Sequence, residues 1–181
     1  MLLMVTGFSG AGKSAAIDIL KDLTGGHVIY LGGEVIREVE RRGLPSGAAS
    51  ERAVRKELRQ AKGDAVFAVN ATDEIRSARA ADRAALIDAV LCPDELKYFI
   101  ALGRDLGGTC LLLLDTKFDL RAERLSRRQN RPCDVTALRL RDELERESLS
   151  IEAVFAEVDA RINNDGDFSQ LRAALAVLAK R

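Results

Sequence analysis

Apolar and polar residues come in short blocks along this chain, and the blocks switch repeatedly between strand-like and helical period. "LLMVT" (2–6) is an apolar run closed by Gly7 and predicts a buried strand. "KSAAIDILKDL" (13–23) places Ala16, Ile17, Leu20 and Leu23 at helical spacing and stops at Gly25-Gly26. "HVIYL" (27–31) predicts a second strand, and "GEVIREVERRG" (33–43) a short amphipathic helix ended by Gly43 and Pro45. Residues 46–63 predict a loop, "SGAAS", then a charged helix opening at Ser50 and Glu51. A helix is expected over 64–80, a third strand within 84–90, and a helix over 93–108 with Pro93 in its first turn. "TCLLLLD" (109–115) carries the clearest strand signal. Beyond it, 119–129 predicts a helix running into "NRPCD". Residues 135–158 are helical in one or two pieces, 158–164 carry a weaker strand signal, and "DFSQLRAALAVLAKR" closes the chain as a helix.

Strands alternating with helices about five times predict an α/β fold whose parallel sheet is covered on both faces. The chain has 181 residues, 47% of them hydrophobic, which suits one domain with a single core and a small lid. No internal repeat or low-complexity linker divides it. Lys plus Arg equals Asp plus Glu at 28 each, so the formal net charge is zero. That argues against a broad footprint for nucleic acid or an anionic membrane. No apolar stretch approaches the roughly 18 residues of a spanning helix, and the start of the chain lacks the basic and apolar regions of a signal peptide. Cys92, Cys110 and Cys133 are odd in number, far apart and without a C-x-x-C. Their spacing opposes a disulfide framework or a zinc site and predicts a cytoplasmic protein. Cys110 reads as a small core residue. The sole histidine, His27, sits at a strand start, a packed or surface place rather than a catalytic one.

The chemistry begins at "GFSGAGKS" (7–14), which fits G-x-x-x-x-G-K-[ST] between a predicted strand and a predicted helix. Gly7, Gly10 and Gly12 let the backbone bend until successive N–H groups converge on phosphate oxygens. The cradle spans Ser9, Gly10, Ala11, Gly12, Lys13, Ser14 and Ala15, and the helix opening near Lys13 adds its positive end. Lys13 supplies charge between the β- and γ-phosphates of ATP, and Ser14 a hydroxyl for Mg²⁺.

A phosphate loop does not name a reaction. Thr116-Lys117-Phe118-Asp119 follows an apolar strand, as the guanine-reading N/T-K-x-D of GTPases does, and Asp105–Gly108 fits D-x-x-G. Their order is wrong for that family, and Asp119 is expected to cap the next helix. Arg121, Arg124, Arg127, Arg128 and Arg131 lie within eleven residues. The last four have i, i+3, i+4, i+7 spacing, which predicts one basic helix face in a lid over a transferring phosphoryl group. Glu34 and Arg37 fall on the first turn of a helix beyond a strand end, where ligands of parallel sheets bind. There Glu34 would orient an acceptor hydroxyl and Arg37 hold an acceptor phosphate.

Together these stretches resemble the P-loop nucleotide-kinase superfamily of adenylate kinase and dephospho-CoA kinase. The likeness is greater to the uncharacterised adenylate-kinase-related P-loop family. "GFSGAGKS" is similar to G-x-x-G-S-G-K-S and "GGEVIREVERRGLP" to G-D-x-x-R-E-x-x-x-R-G, with Glu34 in the place of Asp. "RLSRRQNRPCD" resembles a short lid, R-L-x-x-R-x-R-x-x-D. "RDELERE" (141–147) matches R-D-x-x-E, and "INNDGDFSQL" is similar to the N-x-G-S-x-x-x-L turn near the adenine. The resemblance implies a single three-layer domain with strand order 2-3-1-4-5, an acceptor-side helical region at about 33–80 and a lid at about 124–141. It implies ATP and Mg²⁺, with Lys13, Glu34, Arg37, Arg128, Arg131 and Arg141 in catalysis. Arg124, Asn164 and Gly166 would lie at the nucleotide, and Ser14 and Asp88 would serve Mg²⁺. One departure stands out: where the family has Asp-Gly followed by an acceptor-holding arginine, "LIDAVLCP" has Asp88, Ala89 and Leu91. The expected activity is a phosphotransferase acting on a nucleotide or nucleotide-like small molecule, as monomer or homodimer. The alternatives are a nucleotide-binding switch without acceptor turnover and, less favoured, a GTPase.

Overall fold

The structure, a computed structural model, describes residues 1–128 and 132–179. Its strands are β1 (Leu2–Thr6), β2 (His27–Tyr30), β3 (Ala85–Asp88), β4 (Thr109–Asp115) and β5 (Ala160–Asn163). They form one five-stranded sheet in the order β2-β3-β1-β4-β5, every neighbouring pair parallel. This is the expected topology. The helices are α1 (Lys13–Thr24), α2 (Gly33–Arg41), α3 (Ala48–Lys62), α4 (Val66–Asn70), α5 (Thr72–Ala80), α6 (Pro93–Gly103), α7 (Phe118–Ser126), α8 (Val135–Leu149), α9 (Ile151–Ala156) and α10 (Phe168–Leu178).

Side chains of a strand alternate between faces, so each strand feeds two cores. Leu2, Met4, Ile29, Ala85, Ile87 and Leu111 pack under α2–α6 and α9. Val5, Leu86, Leu112, Leu114 and Ile162 pack under α1 and α10. A third, small core of Ala122, Leu125 and Leu138 joins α7 to α8.

Several boundaries differ from the sequence expectation. The helix expected at Ser50 begins at Ala48 after Gly47, and Ser50 is an interior residue that caps nothing. The alanine pair, strong helix formers, extends it backwards. The 64–80 segment is two helices meeting at Ala71, where the Thr72 hydroxyl bonds the Tyr98 hydroxyl at 2.6 Å. The 84–90 strand narrows to Ala85–Asp88, and the helix from Pro93 stops at Gly103, ahead of a turn in which Gly107 and Gly108 take positive φ. Lys117, not Asp119, holds the position before α7, and no side chain caps that helix. Asp119 is exposed in its first turn, where the helix dipole favours an acid. Of the cysteines, only Cys92 is buried; Cys110 is partly exposed. His27 lies at the surface with Nε2 2.7 Å from Glu74 Oε1.

Candidate functional site

The β1–α1 turn takes the shape its glycines permit. Gly7, Gly10 and Gly12 have φ of 138, 83 and 97°, and Gly12 is the residue before α1 with no side chain capping it. No side chain caps the amides of the first helical turn, the arrangement that receives an anion. Lys13 arches back and donates to the carbonyls of Gly7 at 2.6 Å and Phe8 at 3.1 Å.

The loop is held from behind. The buried Asn164 donates Nδ2 to the Ala11 carbonyl at 2.8 Å, and Thr116 Oγ1 donates to the same oxygen at 3.2 Å. A Cβ on Gly12 would collide with Asn164 Nδ2, so that glycine is needed for the close approach as well as for φ. Arg121 is buried in a bidentate pair with Asp142, at 3.0 and 2.6 Å, and also donates to the Ser9 carbonyl at 3.1 Å. Its guanidinium lies 5.1 Å from the Phe8 ring centre.

The arginine run thus divides. Arg121 is a structural cation that ties the phosphate loop to α8. Arg124 bonds the carbonyls of Asn164 at 2.8 Å and Gly166 at 3.2 Å, stapling α7 to the 164–166 turn. The helix ends at Ser126, so Arg127 lies at its end and Arg128 beyond it. The basic helix face expected from i, i+7 spacing therefore does not form. Arg131 lies outside the described residues.

Charges gather around Lys13. Burial lowers its pKa to about 8; Glu145 and Asp88 oppose the shift, and Arg141 and Arg128 add to it. Asp88 is raised above the ordinary carboxylate range by burial, with Lys13 opposing and Asp18 adding. Arg141 Nε bonds Glu145 Oε1 at 2.9 Å, while the buried Oε2 of Glu145 has no partner among the described residues. The structure therefore brings Lys13, Asp88, Arg128 and Arg141 into one electrostatic neighbourhood. Ser14 is exposed on the first turn of α1. The Ser14 hydroxyl and the Asp88 carboxylate are oxygen donors that suit Mg²⁺, an ion that keeps several waters and takes its other ligands from phosphate. Among the described residues no three His, Cys, Asp or Glu side chains cluster as a metal cage.

On the other side, Glu34 Oε1 accepts from Asn70 Nδ2 at 2.6 Å, and Arg37 is exposed one turn along α2. Leu91 has its N–H held by Glu95 Oε2 at 2.9 Å, and Glu95 in turn pairs with the buried Arg59 at 2.6 Å. This clamp fixes the loop after β3, but it leaves an apolar side chain at the position of the family's acceptor arginine. Sequence reasoning missed Glu145, the pairing of Arg121 with Asp142 and the hold of Thr116 on the Ala11 carbonyl. Glu145 and Asp142 lay in the R-D-x-x-E match, Arg121 in the arginine run and Thr116 in T-K-x-D, but no local pattern announced their contacts.

A family model described as an AAA domain matches residues 3–153. The chain belongs to that family. It is 28% identical to a UPF0200 protein of Thermococcus sibiricus, covering 100% of this chain and 95% of that one. It is 23% identical to a UPF0200 protein of Pyrococcus abyssi, covering 100% and 96%. Among solved structures, a gluconokinase from Sinorhizobium meliloti shares the fold with a TM-score of 0.59 and 18% identity over 98% of this chain and 93% of that one. Shikimate kinase from Aquifex aeolicus does so with a TM-score of 0.54 and 15% identity over 99% and 96%. The fold is thus that of P-loop kinases. Among the described residues no helix is long and apolar enough to cross a membrane.

Proposed function

We propose that the chain is an ATP- and Mg²⁺-dependent phosphotransferase acting on a nucleotide or nucleotide-like small molecule. The observation that carries this reading is the uncapped helix start over which Lys13 folds back, with the charges of Arg141, Asp88 and Arg128 acting on its ammonium. A bare phosphate cradle needs no such arginines; a migrating phosphoryl group, whose charge spreads over its equatorial oxygens, does. In the reaction the bond from the γ-phosphorus to the ADP oxygen breaks and a bond to an acceptor oxygen forms. The acceptor proton passes to a base, for which Glu34 is the candidate, and Arg37 anchors the acceptor. Bound Mg²⁺, held by Ser14 and through water by Asp88, would neutralise charge on the β- and γ-phosphates. Arg124, Asn164 and Gly166 shape the turn where the base of the nucleotide would lie, and Arg131, outside the described residues, is expected to act on the transferring group. A cytoplasmic monomer or homodimer fits this reading.

The test is transfer from ATP–Mg²⁺ to a panel of nucleoside monophosphates, dephospho-CoA, shikimate and gluconate. Phosphorylated product from any nucleotide-like acceptor supports the proposal. ATP hydrolysis with no acceptor phosphorylated sinks it and favours the second reading, a nucleotide-gated switch. Leu91, which removes the family's acceptor arginine, is the observation on that side.

A further inference from the structure

Glu145 is only 7% exposed, and one of its carboxylate oxygens has nothing to bind. Oε1 accepts from Arg141 Nε at 2.9 Å, while the buried Oε2 has no partner among the described residues. Such an oxygen is costly in a protein interior, because it has given up water and received no donor in return. The buried residues of α8 are Leu138, Asp142 and Glu145, at i, i+4 and i+7, which makes one stripe along the helix. Leu138 packs with Ala122 and Leu125, and Asp142 has both oxygens on Arg121, at 3.0 and 2.6 Å. Glu145 is the member of the stripe whose pairing is incomplete.

Contacts on both sides of Glu145 lead to the phosphate loop. Asp142, one turn earlier, holds Arg121, which donates to the Ser9 carbonyl at 3.1 Å. Arg146, the next residue, has its guanidinium 4.6 Å from the centre of the Phe8 ring. Lys13 reaches the same stretch of loop, with Nζ 3.1 Å from the Phe8 carbonyl and 2.6 Å from that of Gly7. Burial apart, the Glu145 carboxylate is the strongest influence on this ammonium. A lysine has three N–H donors. Two of those on Lys13 serve loop carbonyls. An ammonium that turns to the β- and γ-phosphates gives those carbonyls up, and after one donor to each phosphate a third remains. The acceptor with room for it is Glu145 Oε2.

Resting on the reading of this loop as the nucleotide site of a phosphotransferase, we propose that Glu145 is a positioning residue of its donor half. Oε2 takes one N–H of Lys13 when the ammonium turns from the Gly7 and Phe8 carbonyls to the β- and γ-phosphates, and Oε1 keeps Arg141 in place. One carboxylate thereby aligns two cations on the transferring group, and its own unpaired oxygen is satisfied only when the nucleotide is bound. A carboxylate that merely held Arg141 would need no second oxygen buried toward the loop.

The test uses the whole chain with a non-hydrolysable ATP analogue and Mg²⁺. A crystal structure of the wild-type complex should place Lys13 Nζ about 2.7–3.2 Å from Glu145 Oε2. By titration calorimetry at about pH 7, Glu145→Gln should bind the analogue about tenfold or more weakly. It keeps the size of the side chain and an acceptor for Arg141, but no longer brings a charge to the ammonium. Glu145→Asp, which keeps the charge on a shorter arm, should recover part of the loss. The loss on Glu145→Gln should persist in an Arg141→Met background, which separates an action on Lys13 from a hold on Arg141 alone. A wild-type complex in which Lys13 does not reach Glu145, equal affinity of wild type and Glu145→Gln, or a loss that vanishes in the Arg141→Met background would each overturn the assignment. Failure of the wild type to bind the analogue overturns it together with the nucleotide reading. Binding without transfer to any acceptor counts against the phosphotransferase reading alone.

Discussion

Lys13 gives the sharpest quantitative prediction, because its charge is held in a place that disfavours it. Its ammonium is enclosed by the β1–α1 turn and donates to two carbonyls, yet burial brings its pKa down to about 8. In the unfolded chain a lysine titrates near 10.4. Between these values the unfolded chain binds the proton and the folded chain does not, so stability rises with pH across that window and levels off on either side. The gap corresponds to about 3 kcal/mol, or roughly 6–12 °C in midpoint for a domain of this size. Other lysines and the tyrosines also titrate there, so the useful quantity is a difference. Lys13→Met keeps most of the apolar stem and discards the charge. The variant should be more stable than wild type at about pH 7, and the two curves should converge as the pH approaches about 10.5. The sequence contains no tryptophan, so helical circular dichroism during urea unfolding is the appropriate readout. If the difference stays flat from about pH 7 to 10.5, Lys13 keeps its ordinary affinity for protons and the argument from burial is wrong. The same pKa implies that nucleotide binding by the wild type weakens as the pH rises above about 8, because the ammonium that meets the phosphates is lost.

Three further outcomes can be checked on the same preparations. Glu145→Gln removes a charge that supports the Lys13 ammonium, so the pH at which ATP affinity falls should move below that of wild type, measured by titration calorimetry. Asp142→Asn leaves Arg121 buried without its counter-ion and should cost about 3–5 kcal/mol in urea unfolding; the double variant Arg121→Met with Asp142→Leu should lose less than this single change. Gly12→Ala must adopt a φ of 97° and displace Asn164, so it should abolish stabilisation by ATP–Mg²⁺ and lower the unfolding midpoint, seen by thermal melts with and without nucleotide.

The alternating strands and helices and the two-faced sheet were legible because period-two and period-3.6 patterns are properties of neighbouring residues, whereas the strand order followed from the family resemblance. Leu2–Thr6 and Thr109–Asp115 were bounded to the residue, since each is an apolar run with a glycine or a charge at its edge. The errors fell where tertiary contact overrides local preference. The break at Ala71 carries no glycine or proline to announce it. α6 stops at Gly103, where a Cβ would collide with Thr109, a constraint set by a different element. The basic face expected of Arg124–Arg131 was a reading of helical spacing, and it failed because the helix that would carry it ends at Ser126.

The same division separates the two halves of the candidate site. A phosphate loop binds through consecutive backbone amides and the next side chain along, so its chemistry is written in eight adjacent residues. The proposed acceptor side draws on α2 and the loop after β3, and its composition says little. Arg55 and Arg59 look alike in sequence, two arginines on one face of a charged helix. Folding gives Arg59 a carboxylate, a thiol and a ring from α4 and the start of α6, and leaves Arg55 half-buried. Only tertiary contacts separate the two, so the acceptor half of the proposed site is not written in the spacing of residues along any one helix.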